Sequence, residues 1–141
     1  MICGTVALLA ADDALLRYLE SGAPAGQITV SSDGGGCLPV FNEQGEMTQM
    51  DIGRPQMLAR TLRDLLQRGA ELAQVLPAFT SNVADILRLH DRGRIRQNNV
   101  ADCLVLDEQN RIAGVMIAGI WHVEDGQQQV FGTFEAQGAE R

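Results

Sequence analysis

The stretch Val30-Ser31-Ser32-Asp33-Gly34-Gly35-Gly36-Cys37 holds the residues best suited to chemistry. Asp33 stands just beyond Gln27-Ile28-Thr29-Val30-Ser31, a short β-branched run that reads as a buried strand. In parallel α/β folds the C-terminal edge of such strands is where ligands and catalytic groups gather. A carboxylate there can ligate a metal or serve as general base toward an activated water. It can equally do no more than close an Asx-turn on the glycine amides that follow. Gly34-Gly35-Gly36 does not open a helix, and no lysine is present to reach a phosphate, which disfavours a phosphate cradle.

Other reactive side chains are scattered. Cys37 lies near Asp33, and His90 or His122 would have to join it for a Cys–His–Asp set, but no local signature marks one. The histidines lack H-x-H or H-x-x-x-H spacing and read as structural. Cys3, Cys37 and Cys103 form no C-x-x-C pair and read as reduced thiols. Arg92, Arg94 and Arg96 read as a solvated face.

The 141 residues carry eleven arginines against eighteen carboxylates, a formal charge of −7. That acidity excludes non-specific nucleic-acid or anionic-membrane binding, which wants a basic surface. No apolar stretch reaches the ~20 residues that span a bilayer. With 45% hydrophobic and 21% charged residues the chain is expected to fold, as one domain's length of polypeptide. Met1–Ala11 is apolar but has no positive start, so it does not read as a secretory signal.

The elements that must position Asp33 follow from periodicity. Asp12–Glu20 reads as a helix with Leu15, Leu16 and Leu19 on one face and Asp12 or Asp13 as its cap. From Asp33 to Pro55 the pattern predicts a long functional loop holding two short extended pieces, Leu38–Phe41 and Met47–Asp51. Three amphipathic helices are predicted over Gln56–Arg68, Ala70–Phe79 and Ser81–Leu89, the last capped by Thr80 or Ser81. From Asp91 onward the runs Arg94–Arg96, Cys103–Leu106, Ile112–Ile117, Ile120–Val123 and Gln129–Phe131 read as strands separated by turn chemistry.

In this order the pieces resemble the last part of an amidohydrolase-superfamily enzyme. Thr80-Ser81-Asn82-Val83-Ala84, then Gly93-Arg94-Ile95 and Ala101-Asp102-Cys103-Leu104-Val105-Leu106-Asp107, are similar to the segment that leaves the barrel and enters a small β-sandwich. Val30-Ser31-Ser32-Asp33-Gly34-Gly35-Gly36-Cys37-Leu38-Pro39-Val40-Phe41 is similar to the S-S-D-G-x-G-x-x-P-x-F segment of isoaspartyl (β-aspartyl) dipeptidases. Val130-Phe131-Gly132-Thr133-Phe134-Glu135 is close to that family's V-x-G-T-F-E ending.

The resemblance implies an α/β fold: the C-terminal segment of a metal-dependent-hydrolase TIM barrel over residues 1–91, then strands of the β-sandwich over 92–141. It implies a cytoplasmic location, and hydrolysis of isoaspartyl dipeptides by a hydroxide held between two zinc ions. Asp33 would be both metal ligand and proton carrier, with Gly36 and Cys37 beside the substrate. The family's remaining ligands are an H-x-H pair, a carboxylated lysine and two further histidines, none of which has a counterpart here. The chain is therefore expected to be inactive alone, and to act as a homo-oligomer or with a missing N-terminal part. A non-catalytic β-rich module that completes a partner's barrel is the alternative. Met1–Ala11 matches nothing in the family pattern.

Overall fold

The computed structural model describes residues 10–133 with their side chains, and residues 2, 3, 5, 6 and 9 as backbone. Phe134 and Glu135 of the closing pattern, and the Cys3 side chain, lie outside the described residues. Two compact units are present, Met1–Gly93 and Arg94–Arg141.

The first unit begins with three two-residue strands, β1 (Ile2–Cys3), β2 (Thr5–Val6) and β3 (Leu9–Ala10), followed by α1 (Ala11–Glu20). A 3₁₀ turn over Ala25–Gln27 precedes β4 (Val30–Ser31), which pairs in parallel with β1. Parallel neighbours need a crossover connection, and α1 lies in it. Met1–Ala11, which the sequence pattern leaves unassigned, thus supplies the strand beside β4.

Around β4 sits the core: Ile28 and Val30 pack with Ala11 and Leu15 of α1, with Leu62 and Leu65 of α2 (Gln56–Gln67), and with Val75 and Ala78. The strand is shorter than Gln27–Ser31 predicts, because side-chain bonding replaces the ladder before Val30. Asn82, only 6% exposed, donates its amide to the carbonyls of Ala25 (2.7 Å) and Ile28 (2.9 Å). Those bonds remove the desolvation penalty of buried carbonyls.

Several helix ends differ from expectation. At the start of α1 the N-cap is Ala10, with no side-chain cap. Asp12 and Asp13 instead grip Arg68 at 2.6 and 2.8 Å, tying α1 to the end of α2 and raising the guanidinium's already high pKa. The helix predicted over Ala70–Phe79 splits into α3 (Leu72–Val75) and a 3₁₀ turn, Leu76–Phe79, because Pro77 cannot continue the α ladder. Helix α4 covers only Ser81–Ile86, and the Thr80 hydroxyl donates to the Leu76 carbonyl rather than capping it.

The segment after Asp33 is not a loose loop. It forms the antiparallel hairpin of β5 (Cys37–Phe41) and β6 (Met47–Ile52), registered Cys37↔Ile52 through Phe41↔Met47. In the second unit β7 (Cys103–Leu106), β8 (Ile112–Ile117), β9 (Ile120–Glu124) and β10 (Gln127–Gln128) form a four-stranded antiparallel sheet in the order β10-β9-β8-β7. Arg94–Arg96 and Gln129–Phe131 are not strands; Ile95 is 91% exposed, so no packing holds it extended.

Hairpins β5–β6 and β7–β8 close with the same five-residue device. Asn42 Oδ1 accepts from the amides of Gln44 and Glu46, just as Asp107 Oδ1 accepts from those of Gln109 and Arg111. Gly45 (φ 79°) and Asn110 (φ 58°) take the left-handed position, and each hairpin carries a register shift beside its turn. The Arg111 amide, side chain and charge hold the Asp107 carboxyl below the usual carboxylate range.

Replacing Asn82 with alanine strands the buried Ile28 carbonyl and the partly buried Ala25 carbonyl. The expected loss is about 2–3 kcal/mol of stability, read as a lower urea midpoint. An unchanged midpoint would contradict the role given to this side chain.

Candidate functional site

Asp33 stands two residues beyond β4, half-buried, where the chain leaves the core. Its amide donates to Ser31 Oγ at 3.1 Å, and its carbonyl accepts from the Gly36 amide at 2.8 Å, closing a four-residue turn. Asp33 itself takes the left-handed conformation (φ 49°), which costs an L-residue about 1–2 kcal/mol. Gly35 (φ 83°) follows it in the same region.

The glycine amides do not serve the carboxylate. Gly35 N–H donates to the Gly53 carbonyl at 2.9 Å, and Gly36 N–H goes to the Asp33 main chain. Among the described residues the Asp33 carboxylate has no hydrogen-bond partner, so the simple Asx-turn is not formed. Shape holds it instead: a Cβ built on Gly36 would come within 2.6–2.8 Å of the carboxyl atoms. Cys37, the next residue, opens β5 as an exposed free thiol. Asp33, Gly36 and Cys37 are thus brought to one turn.

The histidines do not join them in a metal centre. His90 is exposed in the turn after α4, and His122 is half-buried in β9. Among the described residues no three His, Cys, Asp or Glu side chains come together in a way that could hold a metal ion. Arg92 pairs with Asp91 at 3.8 Å, a surface contact of small energetic weight. A cleft of about 310 Å³ lies between α1 and the α2–α3 connection, lined by Leu16, Leu19, Glu20, Glu71 and Val75 among others. It includes neither Asp33 nor Cys37 and is not the site.

No family model matches the sequence. Solved structures do. A beta-aspartyl dipeptidase from thermophilic, keratin-degrading Fervidobacterium islandicum AW-1, solved in complex with a beta-Asp-Leu dipeptide, is 31% identical. The match covers 94% of this chain and 35% of that one, with a TM-score of 0.80. This chain resembles part of a beta-aspartyl dipeptidase. A second structure of the Fervidobacterium enzyme matches at 29% identity, 95% and 33% coverage and a TM-score of 0.74. An N-acetylglucosamine-6-phosphate deacetylase from Thermotoga maritima shares the fold alone: 18% identity, 82% and 36% coverage, TM-score 0.60. The neighbours are hydrolases, and the chain spans about a third of their length.

Three positioning residues escaped the pattern reading. Arg68 and Asn82 are long-range polar contacts that no local spacing announces. Gly53 gave one usable sign, a lone glycine directly after a strand, which marks a bulge or a close backbone approach.

The unbonded carboxylate and the positive φ together make a stability test. Asp33→Gly is expected to raise stability by about 0.5–1 kcal/mol by relieving the left-handed strain, read from thermal unfolding. A clear loss would show that the carboxylate holds the turn together and would restore the Asx-turn reading.

Proposed function

We propose that this chain is part of a metal-dependent isoaspartyl-dipeptidase-type hydrolase, and that Asp33 is the carboxylate it contributes to the reaction centre. The observation that carries the reading is the 31% identity, over 94% of this chain, to an enzyme solved with a beta-Asp-Leu dipeptide. The position of Asp33 supports it, two residues past the end of a strand with a parallel neighbour. On this reading the first unit is the last portion of a (β/α)8 barrel, and the sheet of the second unit is part of a small β-sandwich.

A carboxylate so placed accepts a proton from an attacking water and returns it to a leaving amine. Its lack of a hydrogen-bond partner among the described residues leaves both oxygens available for that exchange. Gly36 presents no side chain against the carboxylate, and Cys37 stands at the mouth of the turn, so both are assigned to the substrate side. The dipeptide's own carboxylates are the groups they would meet.

Zinc is the metal the resemblance implies, and the described residues do not fit it alone. Catalytic zinc takes about three protein ligands, whereas Asp33 is not joined by two other candidate donors. The remaining donors belong to other polypeptide, on a longer chain or a second one. The chain's exposed apolar side chains favour such a partner: Phe41, Met47 and Ile52 on the β5–β6 hairpin are 46%, 58% and 58% exposed, and Leu104 and Ile120 in the second unit 58% and 61%. Single exposed residues are ordinary, but runs along strands mark contact surfaces. The same observation supports the second reading, a non-catalytic β-rich module that completes a partner's barrel.

Two assays separate these readings. The isolated chain, supplied with zinc, is expected to hydrolyse beta-Asp-Leu no faster than its Asp33→Asn variant. A chimera in which this chain replaces the matching third of the Fervidobacterium enzyme is expected to hydrolyse it, and to lose about 10²-fold or more on Asp33→Asn. A chimera that folds, binds zinc and does not depend on Asp33 would overturn the proposal.

A further inference from the structure

We infer that Gly53, together with Gly36, positions the Asp33 carboxylate: the β5–β6 hairpin closes its base onto the Asp33 turn, through a residue whose missing side chain makes room for the Asp33 backbone. The functional weight of this inference rests on the reading of Asp33 above; its geometry does not.

Twenty residues separate the two positions, and the hairpin brings them together. Beyond the Cys37↔Ile52 pair the ladder continues through Gly53, whose carbonyl accepts from Gly35 N–H and whose amide donates to the Gly36 carbonyl, both at 2.9 Å. Gly53 is therefore bonded to the two glycines that shape the Asp33 turn. A Cβ on Gly53 would lie 1.9 Å from the Asp33 carbonyl oxygen, 2.6 Å from its carbonyl carbon and 2.9 Å from the Ser32 oxygen. These are backbone atoms, so no rotamer change relieves the clash. The φ of Gly53 is outside the left-handed region, in contrast to Gly35 and Gly45. Its own conformation does not demand glycine; the approach of Asp33 does.

Gly36 acts on the other end of the same residue. A Cβ there would meet the Asp33 carboxyl atoms at 2.6–2.8 Å, side-chain atoms that can turn aside. A methyl at position 36 re-aims the carboxylate, whereas a methyl at 53 moves the backbone that carries it. With no hydrogen bond to hold the carboxylate among the described residues, its aim follows that backbone directly. A displacement of about 1 Å at a reacting group is enough to cost on the order of 10²-fold in rate.

The test uses the whole chain, isotope-labelled for NMR, with the Asp33 side-chain carboxyl resonance assigned through Asp33→Asn. Gly53→Ala is expected to shift that resonance together with the amides of residues 33–37, and to lower exchange protection of Gly35 N–H about tenfold. Gly36→Ala is expected to shift the carboxyl resonance while Gly35 and Ile52 amides stay as they are. Gly45→Ala is the control: it strains the far turn of the hairpin, where a Cβ meets nothing within 4 Å, and is expected to leave the carboxyl resonance in place. A carboxyl resonance unmoved by Gly53→Ala, or moved as far by Gly45→Ala, overturns the inference. Should Gly53→Ala fail to fold, the unaltered chain decides: a through-hydrogen-bond coupling between Gly35 N–H and the Gly53 carbonyl is expected, and its absence overturns the inference. None of these readouts needs metal or turnover, so they stand apart from the outcome of the hydrolysis assays.

Discussion

The burial of Ile28 and Val30, at 4% and 5% exposure, is the constraint on which the first unit depends. Packing these side chains between α1 and α2 drives an otherwise polar backbone into the core, and every carbonyl taken there must find a donor. Beside the two-residue β1 the parallel ladder is short, so Asn82 reaches back from α4 to serve the carbonyls of Ala25 and Ile28. Once that segment is fixed, the direction in which the chain leaves the core at Ser31 is fixed too. Asp33 is placed by this exit, held from one side by the Ser31 hydroxyl and from the other by the base of the β5–β6 hairpin.

Much of this arrangement was legible in local pattern. Leu58, Leu62, Leu65 and Leu66 mark the inward face of α2, and Cys103–Leu106 and Ile112–Ile117 are strands where short apolar runs between turn residues announce them. The two hairpin turns are local in the same sense, because Asn42 and Asp107 each carry out a bonding pattern confined to five residues. Asp33 itself was readable from its place after a strand and before three glycines. What stayed hidden is long-range: the Arg68 fork to Asp12 and Asp13 spans more than fifty residues, as does the Asn82 contact. Local pattern also overreached where nothing packs. Arg94-Ile95-Arg96 alternates like a strand, but Ile95 lies in water and no strand among the described residues is laddered to the segment.

The site combines an unrewarded conformation with an unrewarded charge. Asp33 takes a backbone conformation that glycine adopts more readily, and its carboxylate receives no bond in return among the described residues. Strained residues of this kind persist where the surroundings over-determine them, and they cluster at functional sites. Here the surroundings are identifiable: Ser31, Gly36 and Gly53. On the function proposed for this chain, such a carboxylate is one donor among several around a metal-activated water. Among the described residues no other side chains able to hold a metal gather around it, so on that proposal Asp33 is not enough alone.

The proposal is that this chain holds one carboxylate of a metal site whose other donors lie outside the described residues. Zinc content measured by elemental analysis, after equilibration with the metal and desalting, tests it most directly. Near zero zinc per chain is expected. About one or two tightly retained ions per chain would contradict it, because a catalytic-type zinc needs about three protein ligands and the described residues do not assemble them.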